Sequence, residues 1–200
     1  MNKIITGTKT RQNMILLIPD EKYQTTINNI VKDIVSTKKT LCFVSVNKTK
    51  EAIEKELQEK KIKTEKIYFI DCISKSISKG KLSWSDEKTS YIDNPNSLTQ
   101  MSLAIFKLME KTKIDYFLLD SINTLLIYNN EKSILKFVHH TAGKLKANNT
   151  TGLFIYLKEG LNENLLKQFT QFVDKITETG IGIKKETTKS SMSSFEEIKL

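Results

Sequence analysis

Glycine is scarce in this sequence, with seven among 200 residues, and no two glycines have the spacing of a phosphate-binding loop. The pattern G-x-x-x-x-G-K-[ST] needs glycine because only glycine lets successive backbone N–H groups curl around phosphate oxygens. The nearest imitation, residues 7–10 (Gly-Thr-Lys-Thr), precedes the first apolar strand, whereas a phosphate loop follows a strand and opens a helix. The sequence therefore predicts no P-loop.

Cysteine is also scarce, and the two thiols, Cys42 and Cys72, lie in or beside apolar runs without C-x-x-C spacing or a nearby histidine. This pattern excludes a thiolate metal site and a redox pair, and it predicts reduced cysteines in the core. No apolar run reaches the roughly 18 residues of a membrane-spanning helix, and residues 1–10 lack the apolar stretch of a secretory signal. We therefore expect a cytoplasmic protein.

Arginine is almost missing, because Arg11 is the only one among 32 basic residues. The formal net charge of +9 invites a nucleic-acid interpretation, but arginine supplies the bidentate contacts typical of specific readout. The positive excess is also spread along the chain, since residues 1–100 carry 18 basic and 12 acidic side chains and residues 101–200 carry 14 and 11. A dispersed lysine coat is favoured over a dedicated patch.

Apolar runs of strand length alternate with amphipathic segments of helix length along most of the chain. Strands are predicted over residues 14–18, 41–46, 67–71, 91–92, 116–119, 152–157, 172–177 and 181–184. Helices are predicted over residues 21–35, 49–60, 97–111, 133–146 and 163–169, the second of them capped by Thr49. This order is typical of an α/β fold in which a mostly parallel central sheet carries helices on both faces and an antiparallel edge at the C-terminal end.

Two segments fall outside this alternation. Residues 74–90 are rich in serine, lysine and carboxylates around a lone Trp84, which predicts a long surface loop. Polar residues dominate from residue 187 onward. We therefore expect one domain over residues 1–186 and a polar tail over residues 187–200, in which Phe195 and Leu200 are candidates for a local contact.

In residues 15–18, 41–46, 68–74 and above all 117–126, the chain resembles successive core segments of the KaiC/RecA-like ATPase superfamily. The most specific element is Asp-Ser-x-x-x-Leu-Leu at residues 120–126, which directly follows a buried strand and is similar to the Walker B segment of that superfamily. The resemblance covers about residues 13–185 and is greatest to small archaeal members whose phosphate loop has decayed. It implies a three-layer fold and, in active members, ATP hydrolysis.

The segment after the first strand departs from the active members. Residues 19–26 read Pro-Asp-Glu-Lys-Tyr-Gln-Thr-Thr, with two carboxylates and no glycine where the phosphates would lie. Carboxylates a few ångströms from the phosphates would repel a nucleotide, at a cost of roughly several kcal/mol at low effective dielectric. One alternative interpretation takes Lys22 and the threonines at residues 25–26 as the remnant of a Lys-Thr pair.

Two catalytic parts of the active members are also absent from their expected positions. Where they have a glutamate that activates water, this chain has Asn47, and an amide cannot act as a general base at neutral pH. Active members stabilise the transition state with an arginine, and Arg11 is the only arginine in this chain. The resemblance therefore implies no catalytic residue here.

Asp120 and Ser121 are the remaining candidates for a cofactor-binding site, by their similarity to Walker B. One interpretation makes Asp120 a magnesium-binding carboxylate, and the other makes it a strand-end residue that bonds nearby backbone amides. The second is favoured because one carboxylate without phosphate oxygens binds Mg²⁺ poorly. His139 and His140 have no partners at metal-ligand spacing, so no metal site is predicted.

We therefore expect a non-catalytic RecA/KaiC-like domain that acts as an interaction or regulatory module without a cofactor. The alternatives are a weak nucleotide-binding ATPase that uses Asp120 and a lysine-rich nucleic-acid-binding protein. We expect a protein partner or a homodimer, with nucleic acid less favoured and no membrane.

Overall fold

The computed structural model describes residues 11–78, 86–179 and 186–187, and a single eight-stranded sheet is its central layer. The strands are β1 (Asn13–Ile18), β2 (Leu41–Ser45), β3 (Ile67–Asp71), β4 (Thr89–Tyr91), β5 (Tyr116–Asp120), β6 (Thr151–Leu157), β7 (Lys175–Glu178) and β8 (Glu186–Thr187). They lie in the order β4-β3-β2-β5-β6-β1-β7-β8. Every neighbouring pair is parallel except β7 and β8, which are antiparallel.

Helices connect these strands. They are α1 (Tyr23–Ser36), α2 (Lys50–Glu59), α3 (Ser74–Ile77), α4 (Leu98–Lys111), α5 (Ile122–Tyr128), α6 (Glu131–Ala147) and α7 (Glu163–Phe169). Two 3₁₀ turns, Asp20–Lys22 and Lys158–Gly160, follow β1 and β6. None of the helices in the described part of the chain combines the length and apolar content that crossing a bilayer requires.

Side chains on the two faces of the sheet build two separate cores because successive residues of a strand point to opposite sides. In β5, Leu118 packs into the core beneath α1 and α2 with Ile30 and Leu57. Phe117 and Leu119 pack on the other face, beneath α4, α5, α6 and α7. The central strands are buried on both faces, which is why they read as continuous apolar runs rather than alternating ones.

The predicted fold class is confirmed, including the antiparallel pair at the C-terminal end of the sheet. Thr49 caps α2 as predicted, since its Oγ1 accepts a hydrogen bond of 3.2 Å from the Ala52 amide. The core cysteines are confirmed too, because Cys42 and Cys72 are buried and unpaired. The strand predicted over residues 181–184, together with Trp84, Phe195 and Leu200, lies outside the described residues.

Three details of the prediction are wrong. Residues 74–77 form α3 where a loop was predicted. The strand predicted from residue 172 begins at Lys175, because Phe172 and Val173 belong to a turn in which both amides donate to the Phe169 carbonyl. The short helix α5 was not predicted at all.

Two glycines offer opposite tests of this packing. Gly143 lies in the interior of α6, exposed, and a Cβ there would meet nothing within 4 Å. Gly143→Ala should therefore stabilise the protein by about 0.5–1 kcal/mol, since alanine is the better helix former. Gly152→Ala should destabilise it, because its Cβ would collide with Asn13 Oδ1 and lie 2.7 Å from Leu145 Cδ1. Urea denaturation measures both changes, and the same sign for the two would contradict the assigned packing.

Candidate functional site

The candidate site lies at the carboxyl ends of β1, β2 and β5, the edge of the sheet where ligands of open α/β folds bind. Asp120 ends β5 and is 97% buried, between the ends of β2 and β6. Its carboxylate oxygen Oδ1 accepts a hydrogen bond from the Tyr23 hydroxyl. The sequence predicted a candidate carboxylate at this position but did not predict its partner.

Tyr23 reaches Asp120 because the connection after β1 is short. Pro19 follows β1, the 3₁₀ turn Asp20–Lys22 reverses the chain, and Tyr23 is then the first residue of α1. The turn is closed by a hydrogen bond of 2.9 Å from the Lys22 amide to the Pro19 carbonyl. The phenol ring therefore lies beside Asp120, at the end of β1 where a phosphate loop would begin.

The electrostatics of this pair favour a proton on the phenol. Burial raises the pKa of Tyr23 well above its ordinary value, and the nearby charge of Asp120 raises it further. Burial raises the pKa of Asp120 to about 6, although the Tyr23 hydrogen bond and the positive charge of Lys48 lower it. Asn47 Nδ2 donates to the phenol oxygen at 3.3 Å. Tyr23 is thus a donor to Asp120 across the physiological pH range.

Lys48 belongs to a neighbouring polar cluster between α1 and α2. Its ammonium contacts Glu56 Oε1 at 2.5 Å and Gln24 Oε1 at 2.6 Å, and Gln24 Nε2 donates to Glu56 Oε2 at 2.6 Å. The backbone of Lys48 is fixed as well, because its carbonyl accepts a hydrogen bond of 2.5 Å from Ser45 Oγ. The cation next to Asp120 is therefore already neutralised by Glu56.

A magnesium-bound nucleoside triphosphate, which the fold family implies, does not fit the residues at this edge. The Asp20 amide, a potential phosphate donor, donates instead to Glu159 Oε2 at 3.0 Å. A side-chain hydrogen bond between Asp20 and Glu159 raises the pKa of Asp20, which indicates two carboxyl groups in contact. Phosphates would meet these carboxyls, and one of the two carboxylate oxygens of Asp120, Oδ1, is already bonded to Tyr23.

The other residues considered in the sequence lie apart from Asp120 or have a role in the fold. Ser121 is buried and caps α5, with its Oγ accepting from the Thr124 amide at 3.4 Å. Arg11 lies at the amino end of β1, where its amide donates to Thr151 Oγ1 at 3.1 Å, so its backbone is at the opposite end of the sheet from Asp120. His139 and His140 lie on the exposed surface of α6. Within the described ranges, no three His, Cys, Asp or Glu side chains are grouped so that they could hold a metal.

Asp71 and Asp115, two further aspartates beside the ends of strands, also act in the fold. Asp71 is fully buried and accepts four hydrogen bonds around the starts of α2 and α3. Asp115 pairs with Lys39 at 3.1 Å and accepts from the Thr40 amide at 3.0 Å. Among the described residues, neither has a hydrogen bond to a second carboxylate with which it could share acid–base chemistry.

The raised pKa of Asp120 makes stability depend on pH. The folded protein binds this proton more tightly than the unfolded chain, so the stabilisation is complete below about pH 4 and is lost as the pH rises through about 6. Between pH 4 and pH 7, we expect the stability of wild type relative to Asp120→Asn to fall by about 3 kcal/mol, since each pKa unit is worth about 1.4 kcal/mol. Chemical denaturation at both pH values measures this difference. A difference that does not change with pH would contradict the assigned burial.

In the sequence, Tyr23 falls on the apolar side of the helix predicted over residues 21–35, and nothing there connects it with Asp120. The available signal was its place at the head of that apolar side, next to a polar segment, because a tyrosine has a polar tip that needs a partner when buried. Gln24 and Glu56 were missed because nothing in the sequence links α1 to α2.

Comparisons with known proteins agree with this fold. Residues 7–187 match a family described as a family of unknown function, DUF7090. None of the curated proteins matches the chain. Among solved structures, it is similar to the KaiC-like protein PH0186 of the hyperthermophilic archaeon Pyrococcus horikoshii, with a TM-score of 0.58 and 12% sequence identity, covering 92% of this chain and 85% of that one. It is also similar to the flagellar accessory protein FlaH of Methanocaldococcus jannaschii, with a TM-score of 0.52 and 14% identity, covering 92% and 79%.

Proposed function

The chain belongs to DUF7090, a family of unknown function, and we propose that it is a non-catalytic KaiC/RecA-like domain that acts as an interaction or regulatory module. The observation that carries the proposal is the hydrogen bond from the Tyr23 hydroxyl to Asp120. A side chain of the protein itself thereby occupies the place beside the Walker B-like carboxylate. The degenerate phosphate loop is part of the same proposal.

The surroundings of this pair support a loss of nucleotide chemistry. Asn47 donates to Tyr23 and cannot remove a proton from water at neutral pH. The backbone of Arg11 lies at the amino end of β1, away from Asp120. Lys48, the cation that lowers the pKa of Asp120, is paired with Glu56. A bound triphosphate would need to displace Tyr23 and break the contact between Asp20 and Glu159.

The surface next to this site supports an interaction role. Ile127 and Tyr128 lie at the end of α5, the helix that begins directly after Ser121, and their side chains are 77% and 50% exposed. Large side chains this exposed, side by side at the end of a helix, are candidates for a contact surface. A protein partner or a second copy of the chain would cover them.

Thermal unfolding with ATP or GTP at millimolar concentration, with and without Mg²⁺, tests the proposal. We expect no rise in melting temperature. Binding would be visible in this assay, because a ligand present at 100 times its dissociation constant would stabilise the protein by about 2.7 kcal/mol. Light scattering should give a mass that Mg-ATP does not change. Tyr23→Phe is the matched control, since it removes only the hydroxyl that covers Asp120.

The opposite result would support the alternative of a weak ATPase. Stabilisation of the wild type by Mg-ATP that is lost in Asp120→Ala would overturn the proposal, as would a ring of subunits that assembles only with nucleotide. Stabilisation that appears only in Tyr23→Phe would keep the proposal and identify the hydroxyl as the group that excludes the ligand.

A further inference from the structure

Helix α6 presents a strongly basic outer surface, which we call the α6 face and define by the exposed residues Lys132, Lys136, His139, His140, Gly143 and Lys146. The helix contains four lysines and one carboxylate, Glu131. In the described part of the chain, no ion pair engages Lys132 or Lys136, whereas Lys146 pairs with Asp174 at 3.1 Å. The density of positive charge on this helix is therefore higher than its average along the sequence.

The basic positions of α6 form a line along the helix. Lys132, Lys136, His140 and Lys144 follow one another at intervals of four residues, which places them on one side with a rise of about 6 Å per step. Lys144 also lies 5.3 Å above the ring of Phe106 in α4, and 3.9 Å from Glu110. Lys132 and Lys136 are the cations of this row that no ion pair engages in the described part of the chain, and their spacing suits the phosphates of a flexible chain.

Three aromatic rings are stacked one on another along the same face. The ring centroids of His139 and Phe172 are 4.5 Å apart with planes inclined by 24°, and those of His139 and His140 are 5.6 Å apart at 26°. His139 and His140 are exposed, and Phe172 is half-buried. Because these rings already stack on one another, an unpaired nucleic-acid base would extend the stack from the exposed His140 ring, and we call this surface the platform.

Gly143 gives an independent indication that something approaches this surface closely. A glycine in a helix interior is less stable than alanine, and here no neighbour excludes a Cβ, because nothing lies within 4 Å of it. Packing within the chain therefore does not explain the glycine. It follows His139 and His140 by one turn, so its bare backbone extends the ring platform. Close approach of a ligand to the backbone is a reason to place glycine there.

We propose that the α6 face binds single-stranded nucleic acid, with a base stacked on the platform beside His140 and Gly143 and phosphates along Lys132 and Lys136. The scarcity of arginine excludes bidentate base readout but not this mode, since sequence-tolerant binding needs point charges and stacking surfaces. Duplex DNA is disfavoured because its bases are already stacked inside the helix. An anionic membrane is disfavoured because the α6 face lacks the large apolar side chains that insert into a bilayer.

Fluorescence anisotropy with labelled 15-mers of thymidine or uridine, at salt concentrations from about 50 to 200 mM, tests the proposal. The double variant Lys132→Glu with Lys136→Glu should weaken binding about tenfold or more and reduce its salt dependence. The matched control is Lys32→Glu with Lys55→Glu, which makes the same change in net charge at exposed positions of α1 and α2 on the other side of the sheet. The control should retain the affinity of the wild type within about twofold.

Two further variants separate stacking from charge. His139→Ala with His140→Ala should weaken binding roughly 5- to 100-fold. Gly143→Leu should weaken binding while thermal unfolding shows an intact fold, because the added side chain covers the platform. Equal losses in the two lysine double variants would overturn the proposal as non-specific attraction, and so would tighter binding to a 15-base-pair duplex. Binding only to vesicles containing phosphatidylserine would assign the face to a membrane and overturn it too.

Discussion

Leu118→Ala is expected to lower the free energy of unfolding by about 2–5 kcal/mol. Leu118 is fully buried in the middle of β5, the strand that β2 and β6 flank, and it packs beneath α1 and α2. The truncation removes apolar contacts and leaves a cavity that rigid neighbours on both sides of the strand cannot fill. Chemical denaturation followed by circular dichroism measures the loss.

The matched comparison is Asp120→Asn, two residues further along the same strand. An amide oxygen can still accept the Tyr23 hydroxyl, so at pH 7 this variant should be far less destabilised than Leu118→Ala and can be more stable than the wild type. If the aspartate change were the more damaging of the two, Asp120 would be central to the fold and the proposed role of Tyr23 would fail.

Asp71→Ala is expected to cost about 3–5 kcal/mol, because several buried donors lose their acceptor together. The carboxylate accepts from the Lys50 and Ile73 amides at 2.8 Å, from the Ser74 amide at 2.9 Å and from Ser74 Oγ at 2.5 Å. These donors lie at the start of α2 and around α3, so one change leaves both helix starts without their acceptor.

Asp93→Ala serves as the control for this loss. Asp93 is exposed and pairs with Lys75 at 3.1 Å, and solvent replaces such contacts, so its removal should leave the free energy of unfolding close to that of the wild type. Equal effects of the two aspartates on the urea midpoint would show that water reaches Asp71 and that the buried network is misassigned.

The sequence predicted the central strands well because each is buried on both faces and is therefore an unbroken apolar run, as at residues 41–46 and 67–71. The prediction failed at the short helix that directly follows β5. Helix α5 is only seven residues long and has two buried side chains, Ile122 and Leu125, so it is too short for a helical period to stand out in the sequence. Its position depends instead on Asn123, whose side chain bonds both the amide and the carbonyl of Leu157.

The site was predictable only in part, for a similar reason. Asp120 stands out because an acidic residue directly follows an apolar run. Its contact with Tyr23 spans 97 residues of sequence, and it exists because parallel strands bring the ends of β1 and β5 to the same edge. Local patterns carry no information on which side chain meets which across that edge.

The outermost strands of the sheet limit how copies of this protein can join. In the part of the chain that the structure describes, β4 pairs with β3 over three residues and β8 pairs with β7 over two, so the outermost strands seen there are short. Short edges of this kind disfavour the addition of a strand from another chain, the route by which many sheets aggregate or exchange segments. We therefore expect any partner to meet helices rather than extend the sheet, which directs cross-linking and interface mutagenesis to α4, α5 and α6.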